Sequence, residues 1–213
     1  DEHGATLRDT LLEHRVGLGA LLTRGGPPTG VALITIDADG ENTIVVAGGA
    51  NETVDEADID GAMDPLAIGP ADVVLAVLET PVPAVQRAAA RARAAGARFL
   101  LNAAPAPASG LPPELLERTT VLIVNEHEGA ALSGLPEPGA AARWLLNAGL
   151  GGGAGTVAVT LGARGALLVD RGGERAIPPL RVEAVDTVGA GDCFCGALAA
   201  RLVAGDDAAA AAG

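Results

Sequence analysis

The sequence predicts an α/β domain in which a mostly parallel β-sheet is covered by helices on both faces. From residue 71 onward, short apolar runs alternate with runs of helical length, a pattern typical of parallel strands joined by helical crossovers. The chain has 213 residues, of which 49% are hydrophobic, and this supports one sizeable domain core.

The spacing of apolar residues predicts each element in turn. The chain opens with an amphipathic helix over residues 5–15. Two β runs, over residues 31–36 and 42–46, flank a Gly-containing turn at residues 37–41. They fit a flap that stands off from the main sheet or an edge hairpin, and periodicity alone favours the edge hairpin.

The alternating region follows. Strands are predicted over residues 72–78, 98–101, 121–124 and 157–161, and helices over 83–95, 113–118, 126–132 and 139–147. A hairpin over residues 166–169 and 174–177, a short strand over 182–185 and a helix over 196–204 complete the chain.

Polar or small residues follow four of the predicted parallel strands. They are Glu79, Asn102, Asn125 and Gly162. Ligands of open α/β sheets bind beyond the carboxyl ends of the strands, so we expect these residues to lie on one functional edge.

The composition excludes several classes of function. A net charge of −13 and a pI near 4.5 argue against a nucleic-acid surface and favour small-molecule partners. All 14 basic residues are arginines, which excludes a Walker A loop and a Schiff-base lysine. We expect no membrane span and no signal peptide.

Cys193 and Cys195 lie too close in sequence for a disulfide and are too few for structural zinc. We therefore expect both to be small buried residues in a reducing cytoplasm.

Residues 186–192 (DTVGAGD) place small residues where a helix is expected to begin. The N–H groups of Gly189, Ala190 and Gly191 would point outward at the positive end of the helix dipole, where they can hold an anion. The Asp192 carboxylate beside them could accept a proton from a hydroxyl that attacks phosphorus. Local chemistry leaves equally open that Asp192 only caps the helix or favours its dipole.

Residues 186–192, followed by FCGAL at residues 194–198, resemble the C-terminal signature of the ribokinase-like (PfkB) family of carbohydrate kinases. The resemblance implies a three-layer α/β/α fold with a mostly parallel central sheet and a small β lid. Residues 28–51 would form the lid, and residues 1–27 and 52–213 the nucleotide- and sugar-binding core. Asp192 would be the general base, and Gly189, Ala190 and Gly191 would stabilise the transferring phosphoryl group.

Two further blocks resemble nucleotide-binding segments of this family. Residues 125–128 (NEHE) have the spacing of a capping box and also resemble the N-x-x-E motif, which implies that Asn125 and Glu128 hold Mg²⁺, through water, with ATP. Residues 160–165 (TLGARG) resemble a segment along the ATP phosphates. The resemblance implies that five residues contact the nucleotide, namely Asn125, Thr160, Gly162, Gly165 and Gly191. Arg164 would pair with phosphate or be solvated.

The remaining resemblances concern the sugar and a monovalent cation. Glu79 and Asp192 would face the sugar, and Ala32 and Ile44 would cover it from the lid, which could also form a homodimer contact. Residues 101–106 (LNAAPA) resemble a block near the site, with Ala103 in place of a proline. Asp186 and the Val188 carbonyl would bind a cation, commonly K⁺.

The resemblance as a whole implies a cytoplasmic kinase that transfers phosphate from ATP to the 5-hydroxyl of ribose. Alternatives are another kinase of the family, acting on fructose, a keto-deoxy sugar acid or a nucleoside, or a non-catalytic nucleotide-binding remnant. We also expect the 213 residues to match the middle of such an enzyme, without its N-terminal Gly-Gly sugar motif and its C-terminal adenine-covering portion.

Overall fold

The structure is a computed structural model that describes residues 1–36, 42–180, 182 and 186–213. The chain forms two compact units, of which one comprises Asp1–Ala67 with Glu79–Ala84 and the other Ile68–Leu78 with Val85–Gly213. The turn predicted over residues 37–41 and residues 183–185 of the last predicted strand lie outside the described part of the chain.

The first unit combines two helices with an antiparallel hairpin. Its elements are α1 (Glu2–Glu13), β1 (Val31–Ile36), β2 (Asn42–Ala47) and α2 (Glu56–Met63), with 3₁₀ turns at Gly49–Thr53 and Asp64–Leu66.

Helix α1 begins three residues before the predicted start because Asp1 caps it. The Asp1 carboxylate accepts the Gly4 N–H at 2.8 Å and, through its other oxygen, the Thr29 N–H at 2.8 Å. A carboxylate in this position satisfies an otherwise unpaired helix donor.

Among the described residues, strands β1 and β2 pair with each other and form a sheet of their own, so the prediction of an edge hairpin of the main sheet is wrong. Leu33 lies opposite Val45, and Ile34 lies opposite Ile44. Successive side chains of a strand point to opposite faces, so each pair belongs to a different face. All four side chains are exposed, and the hairpin therefore presents apolar residues on both sides.

The second unit contains the main sheet. Its strands are β3 (Val73–Val77), β4 (Arg98–Asn102), β5 (Val121–Asn125), β6 (Thr156–Thr160), β7 (Ala166–Asp170) and β8 (Gly173–Ile177). Among the described residues these six strands pair in chain order. The first four are mutually parallel, and β7 and β8 add an antiparallel hairpin at the edge.

Helices cover both faces of this sheet. They are α3 (Val82–Ala94), which starts in the first unit, α4 (Pro113–Arg118), α5 (Glu126–Ser133), α6 (Pro138–Asn147), α7 (Ala190–Val203) and α8 (Ala208–Ala212). Helices α7 and α8 pack in one cluster with Leu100, Ile123 and Leu168. On the other face, α5 approaches Val124, since a Cβ at Gly129 would lie 3.6 Å from the Val124 Cγ2 atom. The predicted three-layer α/β/α architecture is confirmed.

The core is built from the apolar runs that predicted the strands. Phe99, Leu100, Leu122 and Val157 are fully buried, and each large apolar side chain removed from water contributes about 1.5–3 kcal/mol. The apolar runs are continuous because both faces of a parallel sheet are covered.

Helix α7 begins at Ala190, six residues before the predicted start at residue 196. Gly189 adopts φ 74° and directs the chain into the helix, a conformation that glycine reaches without a steric penalty. Cys195, Leu198 and Leu202 form the buried stripe of the helix. The early start brings Asp192 into the first helical turn.

Within the described residues, every helix is too short or too polar to cross a lipid bilayer.

Candidate active site

The carboxyl ends of β4, β5 and β6 bring polar residues together at one edge of the sheet. Asn125 is the register partner of Thr160, and Asn102 is the partner of Ile123 on the intervening strand. The Asn102 side chain donates to the Ile123 carbonyl at 3.2 Å, and the Thr160 hydroxyl donates to the Val124 carbonyl at 3.5 Å. The predicted edge is therefore present for these strands.

Asn125 and Glu128 form a complete capping box at the start of α5. The Glu128 N–H donates to Asn125 Oδ1 at 2.8 Å, and the Asn125 N–H donates to Glu128 Oε2 at 2.8 Å. Burial raises the pKa of the half-buried Glu128 carboxyl, against the lowering effects of the Asn125 N–H and of His127. A nearby cation would stabilise this carboxylate.

Amide and carboxylate oxygens are suitable partners for Mg²⁺, which retains several waters in proteins. Within the described residues, no cluster of three or more His, Cys, Asp or Glu side chains could enclose a metal ion. The oxygens of Asn125 and Glu128 are of the type that a hydrated Mg²⁺ accepts.

The loop after β6 contains the predicted nucleotide residues Thr160, Gly162 and Gly165. A 3₁₀ turn at Gly162–Arg164 is closed by a bond from the Leu161 N–H to the Gly165 carbonyl at 2.8 Å. The two glycines differ in surroundings, since a Cβ at Gly162 would meet no atom of the described residues within 4 Å. At Gly165 it would lie 2.1 Å from the Ile177 carbonyl oxygen, so the fold itself requires glycine there.

Arg164, at the end of the 3₁₀ turn, pairs with Glu126, the first residue of α5. Its guanidinium donates to the carboxylate of the first residue of α5, and both side chains remain accessible to solvent. This hydrogen bond raises the pKa of Arg164 above its usual value. The sequence suggested phosphate or solvent as the partner of Arg164, and the sequence separation of 38 residues concealed the ion pair.

The loop before α7 is organised around Asp186 and Gly189. Asp186 Oδ1 accepts the Val188 N–H at 2.9 Å, which closes a turn of the Asx type. The Ala190 N–H donates to the Thr187 carbonyl at 3.2 Å, so this predicted anion donor is already engaged. In the part of the chain that the structure describes, the N–H groups of Gly191 and Asp192 meet no acceptor, as expected for the first turn of a helix.

Asp192 is exposed in the first turn of α7 and does not cap the helix. The N-cap residue is Gly189, and among the described residues no side chain forms a capping hydrogen bond to the helix start. A Cβ at Gly189 would lie 3.9 Å from Asp192 Oδ2, so the carboxylate lies over the Gly-containing loop. The capping alternative for Asp192 is wrong, and a favourable interaction with the helix dipole remains compatible with its position.

Cys195 links the starts of α5 and α7 electrostatically. Its thiol is buried, and burial together with the negative charges of Asp192 and Glu128 raises its pKa to about 11. Both carboxylates therefore act electrostatically on the same buried thiol. Sequence reasoning missed the effect of these carboxylates on the Cys195 thiol, although Cys195 follows Asp192 by one helical turn. Cys193 is exposed, contrary to the expectation that both cysteines are buried.

The predicted cation residues Asp186 and Val188 lie two positions apart in the turn before α7. Carboxylate and carbonyl oxygens are the ligand type that hard cations prefer. The Asp186 carboxylate is exposed, and one of its oxygens is occupied by the Val188 N–H. The described turn thus offers two oxygen-bearing groups of a possible cation site.

Of the predicted sugar-facing residues, Ala32, Ile44 and Glu79 belong to the first unit, whereas Asp192 belongs to the second. Ala32 and Ile44 lie on the same face of the hairpin, because Ala32 pairs with Val46 and Ile44 pairs with Ile34. Glu79 is exposed in the turn that follows β3.

Comparison with known proteins identifies a family for this chain. Residues 1–212 match the pfkB family carbohydrate kinase. A ribokinase of Staphylococcus aureus is 41% identical over 179 residues, which cover 82% of this chain and 56% of that protein. The chain thus spans about half the length of this curated relative. It spans 33% of the length of another curated relative that it matches.

Solved structures show the same fold. The ribokinase of Thermotoga maritima superposes with a TM-score of 0.79 at 28% identity, over 100% of this chain and 68% of that one. The ribokinase of Arabidopsis thaliana, determined with ribose and ATP, has a TM-score of 0.70 at 26% identity, over 88% of this chain and 61% of that one. Because the family model matches nearly the whole chain and the fold agrees with that of solved ribokinases, the chain belongs to the PfkB family of carbohydrate kinases.

Proposed function

We propose that the chain phosphorylates a sugar with ATP, and that the reaction is D-ribose + ATP → D-ribose 5-phosphate + ADP. The observation that carries this proposal is the position of Asp192, an exposed carboxylate without a capping role at the start of α7. The similarity to ribokinases, one of them determined with ribose and ATP, supports the choice of substrates.

In the proposed reaction, the oxygen of the sugar hydroxyl attacks the γ-phosphorus, and an Asp192 carboxylate oxygen accepts the proton of that hydroxyl. The new O–P bond forms while the bond from the γ-phosphorus to the bridging oxygen of ADP breaks. The N–H groups of Gly191 and Asp192 are directed to the phosphoryl oxygens, with Gly189 providing the close backbone approach. Preorganised donors of this kind lower barriers by a few kcal/mol.

Asn125 and Glu128 would hold Mg²⁺ through its waters, and the ion when bound neutralises phosphate charge. Removal of Mg²⁺ should therefore abolish turnover. Thr160 and Gly162 would lie along the nucleotide phosphates, while Gly165 shapes their loop.

Asp186 and the Val188 carbonyl would bind K⁺ and keep the loop before α7 in shape. A rate that rises when Na⁺ is replaced by K⁺ would support this assignment.

The hairpin would cover the sugar with the face that carries Ala32 and Ile44, and Glu79 would accept hydrogen bonds from sugar hydroxyls. The opposite face, with Leu33 and Val45, would contact a second copy of the chain. This division is supported by the apolar exposure of both faces. We place the enzyme in the cytoplasm.

The test compares the wild-type chain with Asp192→Asn in the presence of ATP, Mg²⁺, K⁺ and D-ribose. Ribose 5-phosphate is quantified by mass spectrometry, and the Kd of ADP is measured by calorimetry. We expect turnover to fall at least about 100-fold, since general bases contribute 10²-fold or more, while the Kd of ADP changes less than about twofold because the backbone donors remain.

Asp206→Asn is the matched control, because Asp206 pairs with Arg201 after the other end of α7. Its turnover should equal that of the wild type. Retention of more than about a tenth of turnover in Asp192→Asn would exclude the base role. Fructose, a keto-deoxy sugar acid and adenosine are assayed in parallel, and nucleotide binding without transfer to any acceptor would favour a non-catalytic binding protein.

A further inference from the structure

The ion pair between Arg164 and Glu126 connects the two segments to which the nucleotide is assigned. Arg164 ends the 3₁₀ turn after β6, four residues beyond Thr160. Glu126 opens α5 directly after Asn125. Since Asn125 and Thr160 are register partners on adjacent strands, the ion pair spans the strand ends on which the nucleotide phosphates would rest.

The first turns of α5 and α7 both carry carboxylates, namely Glu126 and Glu128 on α5 and Asp192 on α7. Glu128 and Asp192 both act on the buried Cys195 thiol, and the whole chain carries a net charge of −13. A nucleotide polyphosphate approaching these carboxylates requires a positive partner besides its metal ion. Arg164 supplies a planar guanidinium, which can bind two phosphate oxygens at once.

The ion pair with Glu126 leaves the Arg164 guanidinium able to bind another anion instead. The side chain of Arg164 is 65% exposed and that of Glu126 is 35% exposed. Exposed ion pairs contribute little to stability, so the guanidinium can leave the carboxylate at small cost. Rotation of an exposed side chain takes only picoseconds to nanoseconds.

We propose that Arg164 is a nucleotide-binding residue that exchanges the Glu126 carboxylate for a phosphate group when ATP or ADP binds. Glu126 is then a positioning residue, which holds the guanidinium beside the strand ends in the empty site and competes with the nucleotide for it. The inference rests on the proposed kinase function and identifies the cationic partner of its nucleotide.

A static clamp between the start of α5 and the turn after β6 is the other role that the contact allows. The two roles differ in the effect of removing the carboxylate. A competing carboxylate weakens nucleotide binding, so its removal strengthens binding. A clamp preorganises the loops, so removal of either partner weakens binding.

The experiment measures the Kd of ADP with Mg²⁺ by calorimetry on the full chain. Arg164→Gln should weaken binding about tenfold, equivalent to about 1.4 kcal/mol. Glu126→Gln should strengthen it about two- to fivefold. The double variant should match Arg164→Gln alone, because Glu126 acts only through Arg164.

Arg143→Gln is the control, because Arg143 pairs with Glu174 and Glu137 and should leave the Kd unchanged. Arg164→Lys keeps the positive charge and should recover part of the lost affinity. Thermal unfolding of each variant checks that the fold is retained, as expected for exposed substitutions.

Weaker binding in both single variants, or no change in Arg164→Gln, overturns the exchange while the kinase function stands. A folded wild-type chain that binds no ADP overturns both the exchange and the proposed function.

Discussion

Glu128 couples the candidate active site to the stability of the fold. Its carboxyl is half-buried beside the start of α5, and burial raises its pKa above the ordinary value of 4.5. The folded chain thus binds a proton more tightly than the unfolded chain at this residue. The resulting stabilisation is complete at pH values below 4.5 and is lost as the pH rises through the raised value.

We therefore predict that the melting temperature of Glu128→Gln, relative to that of the wild type, increases between pH 4 and pH 8. The amide of the variant does not ionise, and its oxygen can still accept the Asn125 N–H. Calorimetric melting temperatures measured in steps of one pH unit, without metal or nucleotide, check this trend. Glu114→Gln, at an exposed position in the first turn of α4, serves as the control. A relative melting temperature that is constant or falls with pH would contradict the prediction.

In the loop after β6, Gly162 and Gly165 differ in the space available for a side chain. Gly165→Ala should cost at least about 3 kcal/mol, because the new Cβ would collide with the Ile177 carbonyl and a positive φ is required as well. Gly162→Ala should cost only about 1–2 kcal/mol, the strain of the left-handed backbone without a collision. Urea unfolding of the two variants distinguishes them, and equal losses would show that crowding at Gly165 is not decisive.

Helix α7 depends on one apolar stripe for its attachment to the sheet. Leu198 is 1% exposed in the cluster that also contains Cys195 and Leu202, whereas Val203 is 54% exposed. We expect Leu198→Ala to lower the free energy of unfolding by about 2–5 kcal/mol and Val203→Ala to change it by about 0.5 kcal/mol or less. Denaturant midpoints at an unchanged m-value provide the measurement. Similar losses in both variants would place the packing surface elsewhere on the helix.

At the scale of the whole molecule, the hairpin is the expected contact between two copies of the chain. Leu33 and Val45 are 68% and 63% exposed and lie opposite each other. A charge buried in an apolar contact is costly, so Leu33→Glu should convert a dimer into monomers, as measured by light scattering during gel filtration. Leu7→Glu, at an exposed position on α1, should leave the mass unchanged. A wild-type chain that is monomeric at high concentration would refute the contact.

Several features followed directly from the sequence because they depend on residues close together in the chain. The strand predicted over residues 98–101 is observed as Arg98–Asn102, since an apolar run bounded by turn residues leaves few alternatives. The capping box of Asn125 and Glu128 needs only a spacing of three residues. The start of α7 was predicted too late, because the left-handed Gly189 allows residues 190–195 to join the helix.

The sequence by itself thus determined the α/β class, the alternation of strands and helices along the chain, and the family signature at residues 186–192. All three depend on periodicity or on short spacings. Only the tertiary structure decided that the hairpin forms its own sheet, that Arg164 meets Glu126, and that the Cys195 thiol of α7 is influenced by the Glu128 carboxylate of α5. These contacts join residues far apart in the chain or on separate elements. Strand order, register and packing bring such residues together, and local spacing does not encode them.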